Sequence, residues 1–428
     1  MESFVIEGGH PLRGEVTPSG NKNAALPLLA ACLLTQEPVV LRNVPDIGDV
    51  RTMRALIETL GVDVQAIDTH SLRLHARQVR KADFDRDLCR KIRASILLAG
   101  ALLGRTGEAT LPPPGGDVIG RRRVDTHLLA LQAYGVETDF RQGMLHLRAP
   151  SGLHGARVLL DEASVTATEN AILAAVTARG QTTIRNAASE PHVQDLCHML
   201  NALGGRIENI GSNTLLIEGV ESLSGGEYTI GPDYLEVVSY VGAAAVTGGE
   251  VRIRRAAPEH LEMVRLVFGR LGIHWEEVGA DLNVPAAQPL QVVPDLRGAI
   301  PQISVMPWPA FPTDLMSLAI VLATQARGTV LFHDWMFEGR MFFIDKLAAM
   351  GAHIVLCDPH RCLVQGPSQL IGEQLESPDI RAGLALVTAA LAAQGTSQIR
   401  NIGQIERGYE RIDEKLKALG ANIRRIQG

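Results

Sequence analysis

Six times along this chain a helical pattern of apolar positions stops at a glycine and turns at once into a short extended stretch. The copies read Ile57–Val64 (IETLGVDV), Leu131–Thr138 (LQAYGVET), Leu200–Ile207 (LNALGGRI), Leu266–Trp275 (LVFGRLGIHW), Leu347–Ile354 (LAAMGAHI) and Leu416–Ile423 (LKALGANI). A helix C-terminus favours a residue that tolerates the left-handed conformation, and glycine does so without steric cost. Gly61, Gly135, Gly204, Gly272, Gly351 and Gly420 follow one another at intervals of 74, 69, 68, 79 and 69 residues. Such even spacing predicts a duplicated supersecondary unit.

A second helix recurs in each copy, over Asn23–Leu34, Ala94–Gly104, Asn170–Ala178, Val237–Val246, Leu315–Ala326 and Ala382–Ala393. These stretches are apolar nearly all round, the mark of a helix buried on every side. Each is followed by a turn and a β-rich segment, at Val39–Leu41, Ala109–Leu111, Thr182–Ile184, Val251–Ile253, Thr329–Leu331 and Ser397–Ile399. The unit reads strand, buried helix, strand, amphipathic helix, glycine stop, hairpin-like strands. Six such units in 428 residues predict an α/β protein of two domains with three units each, parting near Gly231-Pro232-Asp233. The opening strand, Ser3–Gly8, precedes the first buried helix and could pair in either domain.

Composition narrows the function classes. Apolar residues make up 46% and charged residues 21%, as in a folded globular protein, and scarce aromatics (4%) suit closely packed small-residue helices. A net charge of −6 argues against a general nucleic-acid or acidic-membrane binder. The most apolar helical stretches, such as Ala94–Gly104, fall well short of the roughly 20 residues that span a bilayer, so no membrane insertion is expected. Met1-Glu2-Ser3-Phe4 lacks a basic start followed by an apolar run, so no signal peptide is expected. The five cysteines (Cys32, Cys89, Cys197, Cys357, Cys362) show neither a C-x-x-C pair nor zinc spacing, which predicts reduced thiols in a cytoplasmic compartment.

Within this acidic chain, cations gather at equivalent places of the repeat. The residues opening the buried helices include Asn21-Lys22-Asn23, Arg93, Asp314 and Arg381, and the loops before the amphipathic helices carry Arg121-Arg122-Arg123, Arg340 and Arg407. Arg122 and Arg407 each stand 13 residues before their glycine, and Arg340 stands 11 before its own. Helix N-termini present unpaired N–H groups and the positive dipole end. A lone Arg is most simply a solvated charge, but repeat-equivalent cations at helix openings predict an anion site between the domains. Gly115-Gly116 is not followed by the Gly-Lys-Ser/Thr of a phosphate loop, and no G-x-G-x-x-G follows the first strand. The stretch Pro112–Gly120 (PPPGGDVIG) sets stiff prolines beside permissive glycines, which suits a lid carrying Asp117.

The motifs Ser19–Pro27 (SGNKNAALP), Gly115–Asp125 (GGDVIGRRRVD), Phe311–Asp314 (FPTD), Phe337–Arg340 (FEGR) and Arg407–Leu416 (RGYERIDEKL) resemble the UDP-N-acetylglucosamine enolpyruvyl transferases, and the similarity runs through essentially the whole chain. The resemblance implies a two-domain inverse α/β barrel, each domain built from three βαβαββ-type units. It implies a first domain over 22–231 with a lid loop at 112–123, and a second over 1–21 plus 232–428 that takes in the opening strand. It further implies transfer of the enolpyruvyl group of phosphoenolpyruvate to the 3-hydroxyl of UDP-N-acetylglucosamine, with release of phosphate and no metal or organic cofactor. That is the first committed step of peptidoglycan synthesis.

Carried over by motif, Lys22, Arg122 and Arg407 would hold phosphoenolpyruvate, with Arg340 and Arg381 around its carboxylate. Asn23, Arg93, the segment Arg122, Arg123, Val124, Asp125 and Thr126, the segment Glu162, Ala163, Ser164 and Val165, Asp314 and Met336 would hold the nucleotide sugar. Asp314 matches the carboxylate that accepts the 3-hydroxyl proton, and Asp117 stands where most members carry a cysteine that protonates the methylene carbon. The residue types suit the chemistry: planar guanidinium forks and an ammonium clamp a dense anion, and protonation plus hydroxyl attack need an acid and a base. Three further positions depart from the family pattern: Thr166 for a glycine, Arg123 for a proline and Tyr234 for an arginine. They leave open two other readings, enolpyruvyl transfer to a different nucleotide acceptor and an inactive UDP-sugar-binding regulator. Joint retention of Lys22, Asp117, Asp314 and Arg407 counts against a regulator, which has no need of both acid and base.

Overall fold

The computed structural model describes residues 2–80 and 84–427. The chain divides into two compact units. A terminal unit comprises Met1–Ser19, Val118–Arg121 and Pro232–Gly428, and a central unit comprises Gly20–Asp117 and Arg122–Gly231. Each has its own apolar core. The line between them differs in two details from the motif-based boundaries. Gly20 and Asn21 go with the central unit, where Asn21 caps the first buried helix and its N–H donates to Gly231 O at 2.8 Å. Within the loop 112–123, Val118–Arg121 go with the terminal unit, where Gly339 N donates to Ile119 O at 2.8 Å.

The buried helices run over Lys22–Ala31, Leu97–Thr106 and Val165–Ala175 in the central unit, and over Tyr234–Thr247, Met316–Gln325 and Ile380–Ala392 in the terminal unit. Small residues let them pack closely: a Cβ on Gly100 would lie 2.5 Å from Asn170 O. The amphipathic helices are Gly48–Thr59, Asp125–Ala133, Pro191–Ala202, Glu262–Arg270, Ile344–Ala349 and Ile412–Ala418. Their six stop glycines all sit at φ between +73° and +97°.

The strands form six separate sheets among the described residues. In five the order is the same: an edge strand, then in parallel the strand that leaves the buried helix, then two antiparallel strands. Gln302–Ser304, Gly328–His333, Arg361–Gly366 and His353–Asp358 show it with local strands. Three sheets are completed from afar, one of them by Arg13–Val16 beside Glu250–Ile253. Gly226–Thr229, at the end of the third repeat, pairs with Val39–Arg42 of the first. Glu2–Glu7 fills the hairpin position between Thr396–Arg400 and Asn422–Gln427, so the opening strand lies in the terminal unit. The α/β class and the six units are therefore realised, but the barrel is not a closed ring of strands: its sheets are separate and it is the helices that are wholly buried.

One device repeats at the strand exits. Asn43, Asn186 and Asn401 take φ of +56°, +56° and +57°. Their Nδ2 groups donate to Ile230 O (2.9 Å), Leu160 O (3.0 Å) and Ser377 O (3.0 Å), each the carbonyl just past the parallel edge strand. Asparagine tolerates the left-handed region and its amide ties the two strand ends together.

Candidate active site

The residues singled out by motif cluster at the openings of the buried helices and in the loops before the amphipathic ones, and each unit carries its own set. In the central unit Asn21 accepts from the N–H groups of Asn23 (2.8 Å) and Ala24 (3.2 Å), which fixes the first turn of the Lys22–Ala31 helix. Lys22 is the first residue of that turn, and its Nζ lies 3.1 Å from Asp49 Oδ2, a buried carboxylate in the first turn of the next helix.

Arg93 opens a short 3₁₀ turn, Arg93–Ile96, that leads into Leu97–Thr106. Its Nη2 donates to Arg123 O at 2.6 Å. Burial and the neighbouring Arg122 pull its pKa down to about 10, while the Glu162 carboxylate pushes it up. Arg93, Arg122, Arg123 and Glu162 are thus close enough to influence one another. Arg123 Nη2 lies 3.9 Å from Asp161 Oδ2, and Thr126 donates to Asp161 Oδ1 at 2.6 Å, so Asp161 joins the loop before Asp125–Ala133 to the loop before Val165–Ala175.

Beneath these loops runs a buried chain of side chains. Asn170 Oδ1 accepts from Gly100 N (2.8 Å), which turns its Nδ2 towards Ile96 O (2.9 Å) and His127 Nδ1 (2.8 Å). His127 Nδ1 is then the acceptor, and Nε2 carries the proton towards Thr166 Oγ1 at 3.1 Å. Burial, with the Arg93 charge, lowers the His127 pKa to about 3, so the ring is neutral. The Thr166 hydroxyl, one of the departures from the family pattern, is thereby satisfied locally. So are the other two: Arg123 faces Asp161, and Tyr234 is buried edge-to-face with Trp308 at 5.8 Å.

In the loop 112–123 Gly115 N donates to Cys89 O (3.2 Å) and Gly116 N to Arg90 O (3.1 Å), seating its first half in the central unit. Asp117 is partly buried. In the terminal unit Arg121 N donates to Glu338 Oε2 at 3.1 Å, on the turn that carries Arg340, and Val118 is 93% exposed.

The terminal unit gathers three of the predicted residues into one cluster. Asp314, in the 3₁₀ turn Thr313–Leu315, accepts from Arg340 Nη2 through Oδ1 and from Arg381 Nε through Oδ2 (3.3 Å). Both arginines are only 5% exposed. Arg340 lies over the Phe337 ring at 5.7 Å and Arg381 over Tyr409 at 5.2 Å. Asp379 caps the Ile380–Ala392 helix through Arg381 N (2.8 Å) and Ala382 N (3.0 Å), and lies 3.8 Å from Arg340 Nη1. Among the described residues, Arg340 Nε and Arg381 Nη1 are buried and have no hydrogen-bond acceptor. A buried donor without a partner costs about 1–3 kcal/mol, and one such donor remains on each of the two guanidiniums that share Asp314. Arg407 follows the short Gly403–Glu406 helix and donates to Gln404 Oε1 at 3.0 Å.

Met336 N donates to Asp334 Oδ1 at 3.1 Å. Asp334, Asp49, Asp161, His127 and Asp379 are partners that motif matching did not pick out. Of these, Asp379 was readable as the Asx cap two residues before Arg381. Asp49, Asp161 and His127 are distant in sequence from what they touch, and Asp334 joins its neighbours Met336 and Phe337 to the distant Thr313.

A model of the EPSP synthase (3-phosphoshikimate 1-carboxyvinyltransferase) family matches residues 6–416. This chain belongs to that family. Among curated relatives, the UDP-N-acetylglucosamine 1-carboxyvinyltransferase of Bradyrhizobium diazoefficiens is 56% identical over 99% of this chain and 98% of its own. The proteins of that name from Treponema denticola and Borreliella burgdorferi are 53% and 50% identical, over 99% and 100% of both chains. Among solved structures, the enolpyruvyl transferase NikO of Streptomyces tendae superposes with a TM-score of 0.87 at 26% identity, covering 100% of this chain and 99% of that one. EPSP synthase from Acinetobacter baumannii, at 17% identity, a TM-score of 0.77 and full coverage of both chains, shares the fold. Enolpyruvyl transfer is thus the chemistry of the family to which these side chains belong.

Proposed function

We propose that this protein transfers the enolpyruvyl group of phosphoenolpyruvate to the 3-hydroxyl of UDP-N-acetylglucosamine and releases phosphate. The observation that carries the reading is the Arg340–Asp314–Arg381 cluster, where two buried guanidiniums share a carboxylate and each retains an N–H group without an acceptor. Relatives about half identical over their full length bear the name of this reaction.

Chemically, the Asp117 carboxyl gives its proton to the methylene carbon, leaving an oxocarbenium-like centre at C2. The sugar 3-hydroxyl adds to that centre while Asp314 takes its proton, giving a tetrahedral ketal that still carries phosphate. Loss of a methyl proton back to the Asp117 carboxylate then re-forms the C=C bond as the C–O bond to phosphate breaks. Lys22, Arg122 and Arg407 serve the donor phosphate, and Arg340 and Arg381 its carboxylate. Asn23, Arg93, Arg123–Thr126, Glu162–Val165 and Met336 serve the acceptor. Each step is an acid–base transfer combined with charge stabilisation, which the residue set supplies.

We place the reaction in the cytoplasm. The five cysteines are free thiols, as in a reducing compartment, and among the described residues no helix is long and apolar enough to cross a membrane. Phosphate release from phosphoenolpyruvate, measured with UDP-N-acetylglucosamine and with a panel of other nucleotides, tests the reading. Release that depends on UDP-N-acetylglucosamine is the expected result. Release with another nucleotide only would move the acceptor, and none with any acceptor would leave a binding protein.

A further inference from the structure

The strand exit of the fifth repeat departs from the device that three other repeats share. Gly328–His333 runs straight into Asp334, with no left-handed asparagine between. The carbonyl past its parallel edge strand, Val305 O, is bonded instead by Trp335 Nε1 at 2.8 Å. Val305 N donates to His333 O at 3.1 Å, just as Ile230, Leu160 and Ser377 donate to Arg42, Arg185 and Arg400, so the ladder itself is unchanged. What has changed is the side chain at the exit: a tryptophan has taken over the tie, and a carboxylate beside it is released for other partners.

Asp334 is 0% exposed, and its carboxylate bonds Thr313, Met336 and Phe337 beside the arginine cluster. Oδ2 accepts from Thr313 Oγ1 at 2.6 Å, and Thr313 immediately precedes Asp314. Oδ1 accepts from Met336 N (3.1 Å) and Phe337 N (3.3 Å), which shape the turn that ends at Arg340. Phe337 in turn lies under the Arg340 guanidinium. The main chain of Asp334 is pinned from the far side, its N–H donating to His360 O (2.8 Å) and its carbonyl facing His360 Nδ1 (2.7 Å). Burial raises the Asp334 pKa, and the Thr313 hydroxyl, the Arg340 charge and the two N–H groups lower it.

We propose that Asp334 is the positioning residue of the arginine cluster, one carboxylate that sets the relative placement of Asp314 and Arg340 by bonding the segments that carry both. It does not touch the reacting atoms. Asp314 stands on a 3₁₀ turn and Arg340 on a loop, neither held by a regular ladder, so their mutual geometry needs a rigid third party. A misplacement of about 1 Å can cost roughly 10²-fold in rate.

The kinetic arm of the test rests on the enolpyruvyl-transfer reading; an amide-exchange arm does not. Thr313→Val cuts the Asp314 side of the link and leaves the turn intact. It is expected to lower kcat roughly 10-fold to 10²-fold, with KM for UDP-N-acetylglucosamine, thermal midpoint and exchange at Met336 and Phe337 unchanged. Asp334→Ala is expected to lose more activity and to speed exchange at those two amides. Asp334→Asn should recover most of the loss, because its carbonyl still accepts both N–H groups and the Thr313 hydroxyl can turn to accept from the amide. Full activity in Thr313→Val, or an Asp334→Asn as damaged as Asp334→Ala, would overturn the inference. Should the wild-type protein release no phosphate, the transfer reading falls alone, and unaccelerated Met336 and Phe337 amides in Asp334→Ala would still refute the positioning role. If Asp334→Ala does not fold, Thr313→Val decides.

Discussion

A carboxylic acid at position 117, where most of the family it resembles carries a cysteine, changes the acid proposed for that position. A carboxylate is a much poorer nucleophile towards an epoxide than a thiolate. The wild-type protein should therefore keep its activity on incubation with fosfomycin, while Asp117→Cys should gain a mass adduct and lose activity with time; an adduct on Asp117 would count against it. At Asp314 the two buried guanidiniums are already partly neutralised by an internal carboxylate. Asp314→Asn should accordingly bind phosphoenolpyruvate more tightly in calorimetric titration while turnover drops by roughly 10² or more through loss of the base. Weaker binding would mean that the carboxylate organises the arginines rather than competing with the ligand.

At the scale of elements, the glycine stops are the feature that periodicity made most legible, because left-handed backbone restricts the residue choice so sharply. They also differ in a testable way. A Cβ at Gly135 would meet nothing within 4 Å, so Gly135→Ala should cost only the conformational penalty, about 1–2 kcal/mol in denaturant unfolding. At Gly272 a Cβ would lie 2.5 Å from Gln291 N, so Gly272→Ala should cost distinctly more; equal losses would contradict the reading. The buried helices were equally plain from their all-round apolar sequence, although their starts lie earlier than the apolar runs suggest in four cases, at Lys22, Val165, Tyr234 and Ile380. Polar residues such as Lys22, Glu169 and Arg381 are inside the helices, where a hydropathy pattern does not place them. Strand partners such as Gly226–Thr229 with Val39–Arg42 were not legible, because parallel pairing across nearly the whole central unit leaves no local signal. The same holds in the candidate site: Lys22, Arg340 and Arg381 could be read from motifs, whereas Asp49 and Asp161 meet their partners, and Asp334 meets Thr313, only across a long stretch of chain.

For the whole molecule, the buried groups set how stability follows pH. His127 has a folded-state pKa of about 3 against an ordinary 6.5. Between those values the unfolded chain takes up a proton that the folded protein refuses, so stability is full above about 6.5 and falls as pH drops towards 3. His127→Gln should flatten that acid limb by roughly 3–5 kcal/mol in pH-dependent urea unfolding, and an unchanged slope would place the ring's proton elsewhere. Buried Glu169 works in the opposite sense: burial, with Glu190 near it, raises its pKa well above the ordinary value, so the unfolded state is favoured as pH rises through the carboxylate range. The two effects therefore oppose one another as pH rises through the carboxylate range.

The most direct test of the account follows the transferred group itself, with the protein, phosphoenolpyruvate and UDP-N-acetylglucosamine incubated in D₂O and the nucleotide sugar weighed and its carbon-bound deuterium located. The account predicts a gain of one enolpyruvyl group, dependent on both substrates, with solvent deuterium appearing on its methylene carbon. A nucleotide sugar of unchanged mass beside intact phosphoenolpyruvate would contradict it, and a product free of carbon-bound deuterium would contradict protonation of that carbon.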